Sequence, residues 1–219
     1  LDQLTTIQKV IVYLIPILFG VTLHEAAHGY VAYKLGDDTA KRLGRITANP
    51  FKHIDPMGTV VIPLILIISS PFVFGWAKPV PVNEQRLRNP RRDMALVACA
   101  GPASNFLMAV FWALMLKLSF VLIAHHNSIG VPLGLMGQAG IMINLSLFVL
   151  NLIPIPPLDG SRVISALLPR PLDKWFEKIT PFGFFIVFLL ILSGLLSKIL
   201  IPGVLWFQQW LVVLLRLHP

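Results

Sequence analysis

The sequence predicts an all-α polytopic membrane protein, a single membrane-embedded domain over residues 1–219 with one small re-entrant or β element in its first half. Three observations predict it. Hydrophobic residues make up 56% of the 219-residue chain and charged residues 13%, and the mean hydropathy is +0.77, the balance of a protein whose main solvent is lipid. The apolar residues gather in long runs separated by short polar connections. The basic residues behind the net charge of +8 sit in those connections, where they act as topology signals and not as a nucleic-acid surface. One cysteine, Cys99 in an apolar run, excludes an internal disulfide and a cysteine-type zinc site.

The first span runs from about Ile7 to Lys34, long enough to cross a bilayer with some tilt, and Pro16 is a candidate kink. Because it carries a polar cluster, it does not read as a cleavable signal peptide. From Gly36 to Pro56 the chain is polar and turn-rich, and short extended pieces fit it better than a helix. Asp37 and Asp38 are expected to end the first helix facing water. The run Thr59–Phe74 follows, with 16 residues and prolines at 63 and 71, short and broken for a spanning helix. Gly75-Trp76-Ala77-Lys78-Pro79-Val80-Pro81-Val82-Asn83 reads as extended, because its prolines exclude helix and favour a strand with an unpaired edge. After a basic loop, a second strong span covers about Met94–Ala124 and a third about Leu133–Leu152, which breaks at Pro154, Pro156 and Pro157. Two accessory helices are expected within about 181–217, near Pro181–Leu200 and Gly203–Leu217. Trp206, Gln208, Gln209 and Trp210 would suit the last of these to the interface.

Charge distribution decides the path of Thr59–Phe74. If that run crosses, Lys34, Lys41, Arg42, Arg45, Lys52 and Lys198 share a side and the remaining loop cations lie opposite, a weak bias. If it dips and returns, all 18 Lys and Arg except Lys9, Lys198 and the span residue Lys117 fall on one side. The positive-inside rule favours the second partition and makes that side cytoplasmic. The element is therefore expected to be re-entrant or a membrane-embedded β-hairpin.

Inside the first span lies Leu23-His24-Glu25-Ala26-Ala27-His28-Gly29. On a helix, residues i and i+4 share a face, so His24 and His28 can hold one zinc ion with Glu25 beside it as general base toward a water. With six His in the chain, shuffling would give this pattern in roughly two of a thousand trials, a moderately strong signal alone. Its depth strengthens it: three ionisable groups on the order of 10 Å inside a membrane face, six residues of helix from Lys34, need a partner that offsets their desolvation. A metal ion does so. Catalytic zinc usually takes a third protein ligand. Of the ten carboxylates, only Glu25 and Asp159 are flanked by apolar sequence at membrane depth. The prolines before Asp159 enforce irregular backbone, tolerated in a membrane only where it lines protein or a water-filled cavity.

Together, His24-Glu25-x-x-His28, Gly101-Pro102-x-x-Asn105 and Asn151-x-x-Pro154-x-x-Pro157-Leu158-Asp159-Gly160 resemble the three signature motifs of the site-2 protease family of intramembrane zinc metalloproteases. The resemblance covers about residues 4–168. It implies a three-helix catalytic core, one zinc ion on His24, His28 and Asp159, and Glu25 as catalytic base. It further implies that Asn151 and Asn105 help hold the substrate, and that an edge strand including Val80 and Val82 presents itself to it. The expected substrate is a transmembrane protein or peptide within the lipid bilayer, cut in or near its membrane segment. The expected location is a prokaryotic cytoplasmic membrane, with the site toward the cytoplasm. The polar stretch between Phe74 and Met94 is too short for the PDZ or CBS domains of larger members. Selectivity must then come from the membrane core, from an accessory recognition protein or from a substrate that has already been trimmed. A catalytically silent binding homologue and a transporter with a structural metal site are the competing classes. His53, His125, His126 and His218 are expected to be solvated or interfacial.

Overall fold

A computed structural model of the chain describes residues 5–61, 77–169, 176 and 178–217. All regular structure among these residues is helical: α1 (Thr6–Lys34), α2 (Thr39–Arg42), α3 (Pro90–Ala124), α4 (Gly130–Leu152), α5 (Asp159–Leu167), α6 (Gly183–Leu192) and α7 (Leu195–Leu215). Four of them, α1, α3, α4 and α7, are long and apolar enough to cross a membrane. Large apolar side chains such as Leu107 (67% exposed) and Val213 (74% exposed) point outward from the bundle, the surface of a protein meant for lipid.

The start of α1 is fixed by a reciprocal cap: Gln8 N–H donates to Thr5 Oγ1, and Thr5 N–H donates to Gln8 Oε1. The helix continues through the buried Pro16 and stops at Gly36, whose φ of +118° suits glycine alone. Between spans, lipid offers no hydrophobic drive for association, so close packing must hold them. The sequence provides it by placing Gly137 and Gly140 of α4 against α3. A β-carbon on Gly140 would lie 2.2 Å from Cγ of Trp112. Trp112, Ala113 and Leu116 of α3, Leu145 and Val149 of α4, and Val204 and Leu211 of α7 form the buried centre. The rings of Phe106, Phe148 and Phe207 link the three helices, with centroids 5.3 and 5.0 Å apart along the series.

The Arg88 N–H donates to the Leu35 carbonyl at 3.1 Å, so α1 ends where α3 begins, at one end of the bundle. The connection between them also closes on itself there, as Lys78 N–H donates to the His53 carbonyl at 2.9 Å. Apart from the helical turn Pro56–Val61, the re-entrant run expected at 59–74 lies outside the described residues.

Three expectations are corrected. The stretch 36–56 is not a set of extended pieces; it carries α2 and a helical turn at Pro50–Lys52. Its polar turn residues start these helices: Asp37 accepts the Thr39 N–H and hydroxyl, and Asn49 Oδ1 accepts the Phe51 N–H. In doing so Asp37 is wholly buried, not water-facing. The accessory helices break at Gly194 (φ +70°), not near Pro202, which lies inside α7. Hence α6 is a short helix and α7 a full span. Gly203 packs on Val149 near the site-bearing end of α4, and Lys117 in the far half of α3 donates to the Leu215 carbonyl. With α7 running away from the site end, Lys198 and Arg216 exchange the sides expected of them, and the overall charge partition is unchanged.

Candidate active site

One helical turn separates His24 from His28, and their rings meet edge to face at 4.6 Å. They lie against α3 at Gly101, where a β-carbon would be 2.4 Å from His28 Nε2 and 2.5 Å from His24 Cε1. Only a residue without a side chain fits there. Each ring is held from behind: His24 Nδ1 lies 2.6 Å from Asn105 Oδ1 and His28 Nδ1 2.7 Å from the Val97 carbonyl. Both partners are acceptors, so both Nδ1 atoms carry hydrogen and both Nε2 atoms present lone pairs.

The third group arrives from α5. After α4 stops at Leu152, the proline-rich stretch brings Asp159 to the first position of α5, where a carboxylate meets the positive end of the helix dipole. Asp159 Oδ2 lies 3.1 Å from His24 Nε2 and 3.3 Å from His28 Nε2, and the two Nε2 atoms are 3.0 Å apart. Oδ2 is buried and has no hydrogen-bond partner. Three lone-pair donors thus face one another, and a proton could satisfy only one edge of the triangle. Tetrahedral ligands about 2.0–2.1 Å from a zinc ion stand about 3.3 Å apart. The separations of 3.0 to 3.3 Å fit such an ion. Among the described residues, His24, His28 and Asp159 are the one group so arranged.

A cavity of about 710 Å³ opens in front of this cluster, lined among others by Glu25, Val80, Val82, Asn151, Asp159 and Phe184. Glu25, half-buried, accepts the Val80 backbone N–H at Oε2 over 2.7 Å. Val80 itself packs against Gly29, its Cγ1 3.0 Å from where a β-carbon would sit. Asn151 reaches the cavity wall while its Nδ2 donates to the Leu147 carbonyl at 3.0 Å. Asn105 does not line the cavity; it is fully buried behind His24.

Residues 77–83 have no ladder partner among the described residues. Their backbone is instead tied to side chains: Arg45 Nη2 donates to the Lys78 carbonyl at 2.6 Å, and Asn83 N–H to Asp37 Oδ2 at 2.6 Å. Burial acts to raise the Asp37 pKa, but hydrogen bonds from Thr39 and Asn83 and the nearby Arg86 outweigh it and hold the carboxyl below its ordinary value. His53, expected to be solvated, is 2% exposed. Its burial, aided by the Arg45 charge and opposed by the Thr47 carbonyl, lowers its pKa.

Sequence reasoning missed Arg45, Asp37 and Asn144. The first two look like ordinary loop charges. Asn144 left a signal: an amide in the middle of an apolar span, two helical turns before Asn151.

The family model described as Peptidase family M50 matches residues 119–192. The chain is 39% identical over 196 residues to "Putative zinc metalloprotease YwhC" of Bacillus subtilis, covering 86% of this chain and 83% of that protein. It is 28% identical over 194 residues to "Putative zinc metalloprotease Rip2" of Mycolicibacterium smegmatis, covering 87% and 70% respectively. It is 30% identical over 180 residues to the Mycobacterium tuberculosis protein of the same name, covering 80% and 63%. No solved structure matches the chain by the same standard.

Proposed function

Because the chain belongs to peptidase family M50, the site-2 proteases, we propose that it is a zinc endopeptidase cutting a peptide bond within or beside a transmembrane segment of a membrane protein. The observation that carries this reading is the convergence of His24 Nε2, His28 Nε2 and Asp159 Oδ2 beside Glu25, at the wall of a cavity in the bundle. When bound by these three residues, zinc supplies Lewis acidity toward a carbonyl oxygen and a water.

The chain's own residues do the rest. Glu25 takes the proton of the attacking water and returns it to the leaving amine, which balances the hydrolysis. Asn105 and the Val97 carbonyl hold the histidines with their Nε2 atoms toward the ion. A helical substrate must unwind before attack, because its carbonyls are occupied by backbone hydrogen bonds. The strap at Val80 and Val82 lines the cavity and offers backbone to such an unwound strand, and Asn151 lines the same cavity. The end of the bundle bearing the site collects most of the loop cations, which supports a cytoplasmic placement. An accessory recognition protein would add selectivity that the cavity alone does not supply.

Metal analysis paired with cleavage of a model transmembrane substrate tests the reading. Glu25→Gln should keep stoichiometric zinc and lose turnover about 10²–10⁴-fold. Retained cleavage by that variant, or a wild-type protein without zinc, would defeat it.

A further inference from the structure

Behind His24 the polar contacts do not stop at Asn105. Asn105 Nδ2 donates to the Gly20 carbonyl at 3.0 Å and to Asn144 Oδ1 at 3.1 Å, and Asn144 Nδ2 donates to the Gly140 carbonyl at 2.9 Å. Asn105 and Asn144 are both wholly buried. The series crosses three spans, from α4 through α3 to α1. It depends on a missing side chain too, since a β-carbon on Gly20 would lie 2.8 Å from Asn144 Oδ1.

The order of donors and acceptors in this series is not free. A backbone carbonyl can only accept, so the Gly140 carbonyl requires the NH2 of Asn144 and turns its oxygen toward Asn105. That oxygen, with the Gly20 carbonyl, requires the NH2 of Asn105 and turns the Asn105 oxygen toward His24. An acceptor at that point places the hydrogen of His24 on Nδ1 and leaves the lone pair on Nε2, the atom facing Asp159 and His28. A reversed Asn105 amide would donate to Nδ1, put the hydrogen on Nε2 and remove a ligand. Both amides are wholly buried, so in this low-dielectric interior a mispaired donor or acceptor is costly.

We infer that Asn144, which touches neither the metal cluster nor the cavity, is a positioning residue that fixes the His24 tautomer through Asn105. The inference rests on the zinc site proposed above and adds a residue that the signature motifs do not contain.

The test uses the full chain with Glu25→Gln in lipid nanodiscs, so that turnover plays no part. Zinc affinity is read by competition with a chromophoric chelator, and the His24 tautomer by ¹⁵N-histidine NMR of the zinc-free protein. Asn144→Leu, nearly isosteric, should weaken zinc binding about 10–100-fold. It should also populate the tautomer with hydrogen on Nε2. Gly20→Ala, which crowds the same amide, should do likewise. Leu145→Ala, a neighbouring core truncation outside the series, should lower the unfolding temperature but leave affinity and tautomer unchanged. Unchanged affinity and tautomer in Asn144→Leu would overturn the inference while leaving the protease reading intact, as would equal weakening by Leu145→Ala. A wild-type chain that binds no zinc would overturn both.

Discussion

Val80 donates its backbone N–H to Glu25 Oε2 at 2.7 Å, joining the strap at 77–83 to the residue proposed as the general base. With prolines on both sides of Val80, it is the one N–H between Pro79 and Pro81 that can do so. A hydrogen bond to a charged acceptor contributes about 1.5–3 kcal/mol. It therefore holds the carboxylate in one place when the cavity is empty of substrate. Val80→Pro removes the donor and leaves the metal ligands untouched. The expected result is an approximately tenfold fall in kcat, a fraction of what loss of the base itself costs. Zinc content should be unchanged. Steady-state cleavage with metal analysis checks it, and an unaltered kcat would show that the contact has no part in orienting Glu25.

Gly101→Ala is predicted to abolish tight zinc binding without unfolding the bundle. Its β-carbon would fall 2.4–2.5 Å from ring atoms of both histidines, and helix backbone cannot retreat that far. Alanine is otherwise the best helix former, so circular dichroism should be unchanged. Chelator competition should show a loss of affinity of at least about tenfold, the scale of a displaced ligand shell. An alanine variant with normal zinc affinity would mean that the rings do not rest on α3 as described.

The spans and the three residues that cluster at the site were legible in the sequence because each carries a local signature: unbroken apolar length, the four-residue spacing of His24 and His28, and the prolines that isolate Asp159. The break at Gly194 was misread as one near Pro202. Proline within a helix costs a single bond when its neighbours tolerate it, whereas the left-handed turn at Gly194 ends the helix outright. Asp37 and His53 read as solvent-facing because, beside local bonds to Thr39 and Thr47, each is tied to the distant segment at 77–83, Asp37 by Asn83 N–H and the His53 carbonyl by Lys78 N–H. Asn83 is 46 residues from Asp37, and Asn105 81 from His24. Contacts of that range follow from how the helices stack, which no local pattern encodes.

Asp37 should make stability depend on pH at its acid end. Its carboxyl is held below the ordinary value of 3.8, so the ionised form stabilises the folded state. That contribution is fully present above the unfolded value and is lost as the pH falls through the depressed one. Asp37→Asn should lower the unfolding midpoint by about 3 °C at neutral pH, the scale of a single hydrogen bond in a chain of this size. The gap between wild type and variant should close as the pH falls from the ordinary value of 3.8 through the depressed one, which differential scanning fluorimetry can follow. A gap that widens on acidification would reverse the assigned sign.

Arg45 offers a way to separate substrate binding from chemistry. Arg45, 7% exposed, donates from Nη2 to the carbonyls of Lys78 and Pro79, so it grips the strap without lining the cavity. It is in contact with none of the three ligands. Arg45→Met keeps the apolar stem and removes the grip, leaving two carbonyls without donors and the strap free to shift. If the strap's task is to pair with an unwound substrate, loosening it should raise KM about tenfold, equivalent to about 1.4 kcal/mol of binding. The kcat at saturation and the zinc content should be little changed. Both bonds leave the one nitrogen Nη2, so Arg45→Lys, a compact donor with three N–H groups, should restore part of the grip. A variant with a lowered kcat and an unchanged KM would place Arg45 in the catalytic step instead, acting through Val80 on Glu25.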